Sequence, residues 1–116
     1  MKDILGVFAA LACFLHCIGG SAFAAIGIYL VGQSWNPSEF LHYALTGIML
    51  LLAILAFPAG YRRHRQFAPL LLASLGIASM LAAIRVGERF ELWWMLLSAF
   101  SMIMAHLLNG RLLKGA

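Results

Sequence analysis

Cys13, His16 and Cys17 are the residues of this sequence with the clearest capacity for chemistry. On an α-helix Cys13 and Cys17 lie about 40° apart, and His16 lies about 60° to the other side of Cys13. Their β-carbons would be roughly 5–6 Å apart, whereas a disulfide needs about 3.5–4.5 Å. A soft metal ion can span the longer distance, because thiolate is the preferred ligand of soft cations. The spacing therefore predicts a metal site at Cys13 and Cys17, with His16 assisting.

A second interpretation of the same face is packing, since an unmodified cysteine behaves as a small buried hydrophobe. The residues that share the face with Cys13 are small: Gly6, Ala9, Gly20, Ala24 and Gly27. Membrane helices approach one another most closely along such strips. We therefore expect the cysteines to point into a helix bundle, and both interpretations, metal ligand and packing residue, stay open at this point.

His106 is the second candidate ligand, because ionisable residues inside apolar segments are rare and usually functional. It belongs to one helical stripe, which consists of Met95, Ala99, Met102, His106 and Asn109. Thioether, imidazole and amide groups could line a path for a soft ion, although methionine is also a common filler of gaps in cores. His42 is expected at a membrane interface and His64 in a solvated basic loop.

The elements that must position these residues are four apolar stretches in a chain of 116 residues. The composition is 64% hydrophobic and only 10% charged, far from the balance of a soluble domain. About 20 apolar residues cross a bilayer. We therefore predict an all-α fold, one polytopic membrane domain over residues 1–116 that forms a bundle of four transmembrane helices. The predicted spans are residues 4–31, 40–59, 67–84 and 92–108.

Basic residues predict the orientation of this bundle. Six of them fall on one side of the spans, namely Lys2, Arg62, Arg63, Arg65, Arg111 and Lys114. The other side carries only Arg85 and Arg89. Because cytoplasmic loops are enriched in Lys and Arg, both termini are expected in the cytoplasm of a cell whose inner membrane holds the protein.

Several functional classes are disfavoured. The basic residues form no broad face for phosphate, which argues against nucleic-acid binding. No phosphate-binding loop, nucleophile elbow or zinc-protease motif is present, so we expect neither ATP use nor an enzyme. A cleaved signal sequence ending at Ala22-Phe23-Ala24 is an alternative for the first span. It is less consistent with an apolar run that continues to Val31.

Four segments together resemble the MerC family of mercury-uptake membrane proteins. They are Leu-Ala-Cys13-Phe-Leu-His16-Cys17, the isolated His42, Gly60-Tyr-Arg-Arg-His64-Arg and Ala105-His106-Leu-Leu-Asn109. The resemblance implies four inner-membrane helices and inward transfer of mercuric ion through a cysteine pair in the first helix. Cys13 and Cys17 would be that pair. Three residues separate them here, whereas two separate the cysteines of the family.

The leading hypothesis is therefore transport or binding of a soft heavy-metal ion by Cys13 and Cys17, with His16 assisting and His106 on the inward route. The ion is the expected substrate, and no resident cofactor is expected. The other expected partners are the lipid bilayer, a cytoplasmic thiol acceptor and, as one option, further copies of the chain. Two alternatives remain: an accessory subunit that docks on a larger membrane partner, and a membrane thiol oxidoreductase.

Overall fold

The computed structural model describes the backbone of residues 1–31 and 37–116. Side chains are described for these residues except at positions 17, 18, 20–42, 84 and 88. The described residues form four helices and no strand: α1 (Lys2–Val31), α2 (Pro37–His64), α3 (Ala68–Arg85) and α4 (Glu88–Gly115). The predicted all-α fold is confirmed.

Two helices extend beyond the apolar stretches that predicted them. α2 continues through the basic segment to His64, and α4 continues for seven residues beyond Leu108. Helical hydrogen bonding does not need an apolar environment, so the polar ends of these helices lie outside the stretches that hydropathy detects. The consequence is that residues expected in a loop after Gly60 are part of a helix.

Tight connections make neighbouring helices antiparallel. After α2 the chain turns at Arg65, whose φ of 56° is left-handed and whose N–H donates to the Tyr61 carbonyl at 2.9 Å. Pro69 then lies in the first turn of α3, where a missing N–H costs nothing. Between α3 and α4, Gly87 adopts φ 74°, which favours glycine, and its carbonyl accepts hydrogen bonds from Phe90 and Glu91.

α4 packs against all three other helices, as α2 does, and its most extensive contacts are with α3 and α1. The residues of its predicted stripe are buried: Met95, Ala99, Met102, His106 and Asn109 all lie in the interior. Glycines on the other helices let α4 approach closely. A β-carbon at Gly76 of α3 would lie 2.8 Å from Cγ and 3.0 Å from Sδ of Met102. The Met102 side chain therefore occupies the space beside Gly76 of α3. This is the packing role that the sequence analysis considered for this methionine.

Large apolar side chains cover the outside of the bundle. Phe8, Ile54, Leu71 and Trp93 each expose more than half of their surface, as lipid-facing residues do. Within the described part of the chain, the segments Tyr43–His64 and Arg89–Gly115 are long and apolar enough to cross a membrane, and Ala68–Ala83 is a shorter apolar helix. The molecule is 52 Å long.

Candidate metal site

Cys13 lies in the interior of the bundle, with 4% of its surface exposed. Ala10 and Gly6, one and two turns towards the N-terminus of α1, are buried as well. Of the predicted small strip, Gly6 and Cys13 are buried and Ala9 is half-buried, whereas Gly20, Ala24 and Gly27 lie outside the described side chains. His16 is half-buried at the margin of the strip.

The geometry of the predicted thiol pair remains a prediction. Cys17 belongs to α1, but its side chain lies outside the described residues, as does that of His42. Among the side chains that the structure does describe, no three His, Cys, Asp or Glu residues gather into a group that could hold a metal ion. The ligand set of Cys13, Cys17 and His16 therefore stays a prediction.

A polar cluster lies where the first turn of α1 meets the final turns of α2 and α4. We call it the helix-end cluster; its members are Asp3, His64, His106 and Asn109. Oδ1 of Asp3 is 3.2 Å from Nδ1 of His106 and accepts a 2.9 Å hydrogen bond from Nδ2 of Asn109. Oδ1 of Asn109 lies 2.9 Å from Nε2 of His64. The cluster therefore joins three helices.

The hydrogen bonds define which ring nitrogens carry protons. The backbone N–H of Gln66 donates to Nδ1 of His64 at 3.0 Å, so Nε2 of that ring carries the proton that it donates to Asn109. An ionised carboxylate can only accept, so the proton between His106 and Asp3 is on Nδ1 of His106. Nε2 of His106 is thus the nitrogen that faces the protein interior.

Small residues make room for the cluster. Gly6 lies against the His106 ring so closely that a β-carbon there would contact Cε1 and Nε2 and would lie 2.6 Å from Cδ2. Gly60 has the same relation to Asn109, whose Nδ2 would be 2.9 Å from an added β-carbon. Phe57 covers the imidazole, with ring centroids 4.6 Å apart. The sequence can place these polar groups inside the bundle only because glycine occupies both opposing positions.

The same contacts set the antiparallel register of α1 and α4. Gly6 faces His106, and Asp3, three residues earlier, faces Asn109, three residues later. Continuing this register places Cys13 level with Ala99. A rise of 1.5 Å per residue separates the levels of Cys13 and His106 by about 10 Å. His106 therefore lies closer than Cys13 to the end of the bundle that carries the N-terminus.

That end of the bundle is also strongly basic. Basic residues in the first turn of α1 and in the final turns of α2 and α4 are exposed there: Lys2, Arg62, Arg63, Arg111 and Lys114. These residues are near the chain termini or beside the α2–α3 connection. The antiparallel fold therefore brings them to the same end of the bundle, the side to which the sequence analysis assigned them. Asp3, only 15% exposed, is the acidic member of the helix-end cluster.

Sequence reasoning missed two members of the cluster. The expectation that His64 is a solvated loop residue is wrong, because α2 extends to it and both of its ring nitrogens make hydrogen bonds. Asp3 was not a candidate at all. The available signal was its position along the helix axis. When α1 and α4 are antiparallel, an acidic residue in the first turn of α1 lies at the same level as the last polar residues of α4.

Comparison with known proteins identifies the chain at the level of a family. Neither a curated protein nor a solved structure matches it. The family model described as MerC mercury resistance protein matches residues 3–111. This match covers Cys13, Cys17 and the whole helix-end cluster, and two described segments could cross a membrane. The chain belongs to the MerC family of mercury resistance membrane proteins.

Proposed function

We propose that this protein captures a soft heavy-metal ion, mercuric ion first, and passes it across the bacterial inner membrane. Cys13 and Cys17 receive the ion, His16 assists, and His106 acts later on the inward route. The single observation that carries the proposal is the burial of the Cys13 thiol on the inward face of α1, in a chain of a mercury-resistance family. Two thiolates are strong ligands for such an ion.

The proposed topology has four spans with both termini in the cytoplasm. It is supported by the two described segments that are long enough to cross, by four consecutive helices joined by short connections, and by the exposed basic residues that share one end. An excess of Lys and Arg marks the cytoplasmic side. In this orientation His106 lies on the cytoplasmic side of Cys13, so an ion moving inward would meet the cysteines first.

Uptake in this proposal runs without ATP. Movement down a concentration gradient, or exchange onto a cytoplasmic thiol acceptor, supplies the direction. Metal binding to a thiol displaces its proton, so capture should release protons and should weaken as the pH falls. The rival accessory-subunit hypothesis predicts neither metal-linked proton release nor dependence on the cysteines.

The test is a mercuric-ion titration of purified protein in detergent, in competition with a small thiol buffer. Cys13→Ser and Cys17→Ser should each abolish tight binding, because coordination by two thiolates needs both sulfurs. Ala12→Ser is the matched control, since it adds a hydroxyl to the same helix without removing a sulfur and should bind like the wild type. Helix content measured by circular dichroism shows whether each variant is folded.

Retention of wild-type stoichiometry and affinity in the double cysteine variant would place the site elsewhere and refute this proposal. Loss of binding in Ala12→Ser as well would show that an added hydroxyl in this part of α1 is enough to disturb binding, and the cysteine result would then be repeated with alanine.

A further inference from the structure

His106 has a buried nitrogen for which the described part of the chain supplies no hydrogen bond. The residue is 0% exposed. Nε2 has no partner among the side chains and backbone groups that the structure describes, although Nδ1 is paired with Asp3. A buried polar atom without a hydrogen bond costs free energy, so such an atom inside a well-packed bundle calls for an explanation, and a bound ion is one.

Asp3 determines the protonation state of Nε2. Its carboxylate accepts the proton of Nδ1, which selects the tautomer in which Nε2 is bare. A proton on Nε2 would instead create a buried donor without an acceptor. The carboxylate is itself braced by Nδ2 of Asn109, and the ring is confined between Gly6 and Phe57. The imidazole is therefore held in one orientation with its lone pair turned to the interior.

This arrangement is the one that metal-binding histidines adopt. A ligating imidazole offers one nitrogen to the ion and donates the other N–H to a carboxylate, which orients the ring and raises its basicity. The position also has suitable electrostatics, because a buried cation at Nε2 would be attracted by the adjacent Asp3 charge. By contrast, a purely structural histidine would be expected to satisfy both ring nitrogens, as His64 does.

We propose that Nε2 of His106 is a second metal-binding position and that Asp3 is its positioning residue. The ligand is a divalent soft metal ion, and the inference rests on the proposed transport function for the identity of that ion. Binding forms one dative bond from the Nε2 lone pair and displaces no proton from the ring. The ion keeps its remaining coordination positions for a thiolate of the cytoplasmic acceptor.

The position of His106 and Asp3 along the bundle suits a step in which the metal ion is released. The level of His106 is about 10 Å nearer than that of Cys13 to the end that carries the N-terminus, and Asp3 at the next turn is 15% exposed. A single imidazole holds a soft ion less firmly than two thiolates. A weaker site between the cysteines and the surface would let the ion leave in steps.

The test uses the full chain labelled with ¹⁵N-histidine in detergent micelles, with HgCl₂ as the probe. The His106 signals are assigned by their loss in His106→Gln. In the wild type we expect a protonated Nδ1 and a bare Nε2, and HgCl₂ should move the Nε2 resonance. The measurement is repeated with Cys13 and Cys17 both replaced by serine, so that the cysteines do not compete for the ion.

Variants of the positioning residue separate ligand orientation from stability. Asp3→Ala should protonate a large fraction of Nε2 and raise the half-saturating HgCl₂ concentration roughly 10–100-fold, as loss of such carboxylates does in metal sites. Asp3→Asn keeps an acceptor for Nδ1 and should recover most of the bare Nε2 signal. Asn109→Ala is the control, because it also removes a hydrogen bond to Asp3 but leaves the His106 contact in place.

Three results would overturn the inference: a protonated Nε2 in the wild type, an Nε2 resonance indifferent to HgCl₂, or equal weakening by Asp3→Ala and Asn109→Ala. The last result would mean that Asp3 only holds the helix ends together. Failure of the proposed function looks different. In that case the cysteine variants bind mercuric ion as the wild type does, whether or not Nε2 of His106 responds.

Discussion

Replacing Gly6 by alanine should destabilise the protein although alanine is the better helix former. The new β-carbon would contact the His106 ring, which cannot retreat because Phe57 lies against it. Overpacking of this kind costs about 1–3 kcal/mol. Displacing the ring also weakens a hydrogen bond to a charged group, worth about 1.5–3 kcal/mol. Against these stands a gain of about 1 kcal/mol in helix propensity. We expect the free energy of unfolding to fall by about 2–4 kcal/mol.

Gly47→Ala provides the matched control. Gly47 is exposed on α2, and an added β-carbon there meets no atom of the described residues within 4 Å. The control should therefore be neutral or stabilising by up to about 1 kcal/mol. The assay is reversible unfolding in mixed micelles with rising sodium dodecyl sulfate, followed by circular dichroism. Equal stability of Gly6→Ala and Gly47→Ala would refute the close approach of α1 and α4 at His106.

Further predictions concern the helix-end cluster, the topology and the route. Asn109→Leu should lower the free energy of unfolding by about 2–4 kcal/mol, because Asp3 and His64 both lose a partner; an unchanged unfolding midpoint would mean that the cluster contributes nothing to stability. Reporter fusions after Ala116 should be cytoplasmic and those at Gly87 outer-facing, and an outward C-terminus would contradict the four-span topology. In vesicles loaded with a thiol acceptor, His106→Ala should slow initial mercuric-ion uptake while equilibrium capture is retained. Unchanged uptake with lowered thermal stability would instead make His106 a packing residue.

The sequence by itself determined the helical class, the inward face of α4 and the inward position of Cys13. These features follow from local rules. Apolar stretches of about 20 residues select helices in a membrane, and a helical repeat of 3.6 residues assigns each position to a face. Met95, His106 and Asn109 could therefore be placed on one helical stripe before any contact was known, and the structure shows this stripe buried. The family resemblance was also visible in the sequence, because each of its motifs is a short run of neighbouring residues.

The partners of those residues were decided by tertiary structure. Asp3 and His106 are 103 positions apart, and His64 and Asn109 are 45 apart. Periodicity assigns a residue to a face, but only the antiparallel register of two helices determines its height relative to a residue on another helix. The ends of α2 and α4 were also beyond the reach of hydropathy, because their last turns are polar, and His64 was misassigned for that reason. The unprotonated state of Nε2 of His106 likewise depends on Asp3 lying beside the ring. The tautomer of a histidine is selected by its contacts and not by residue type.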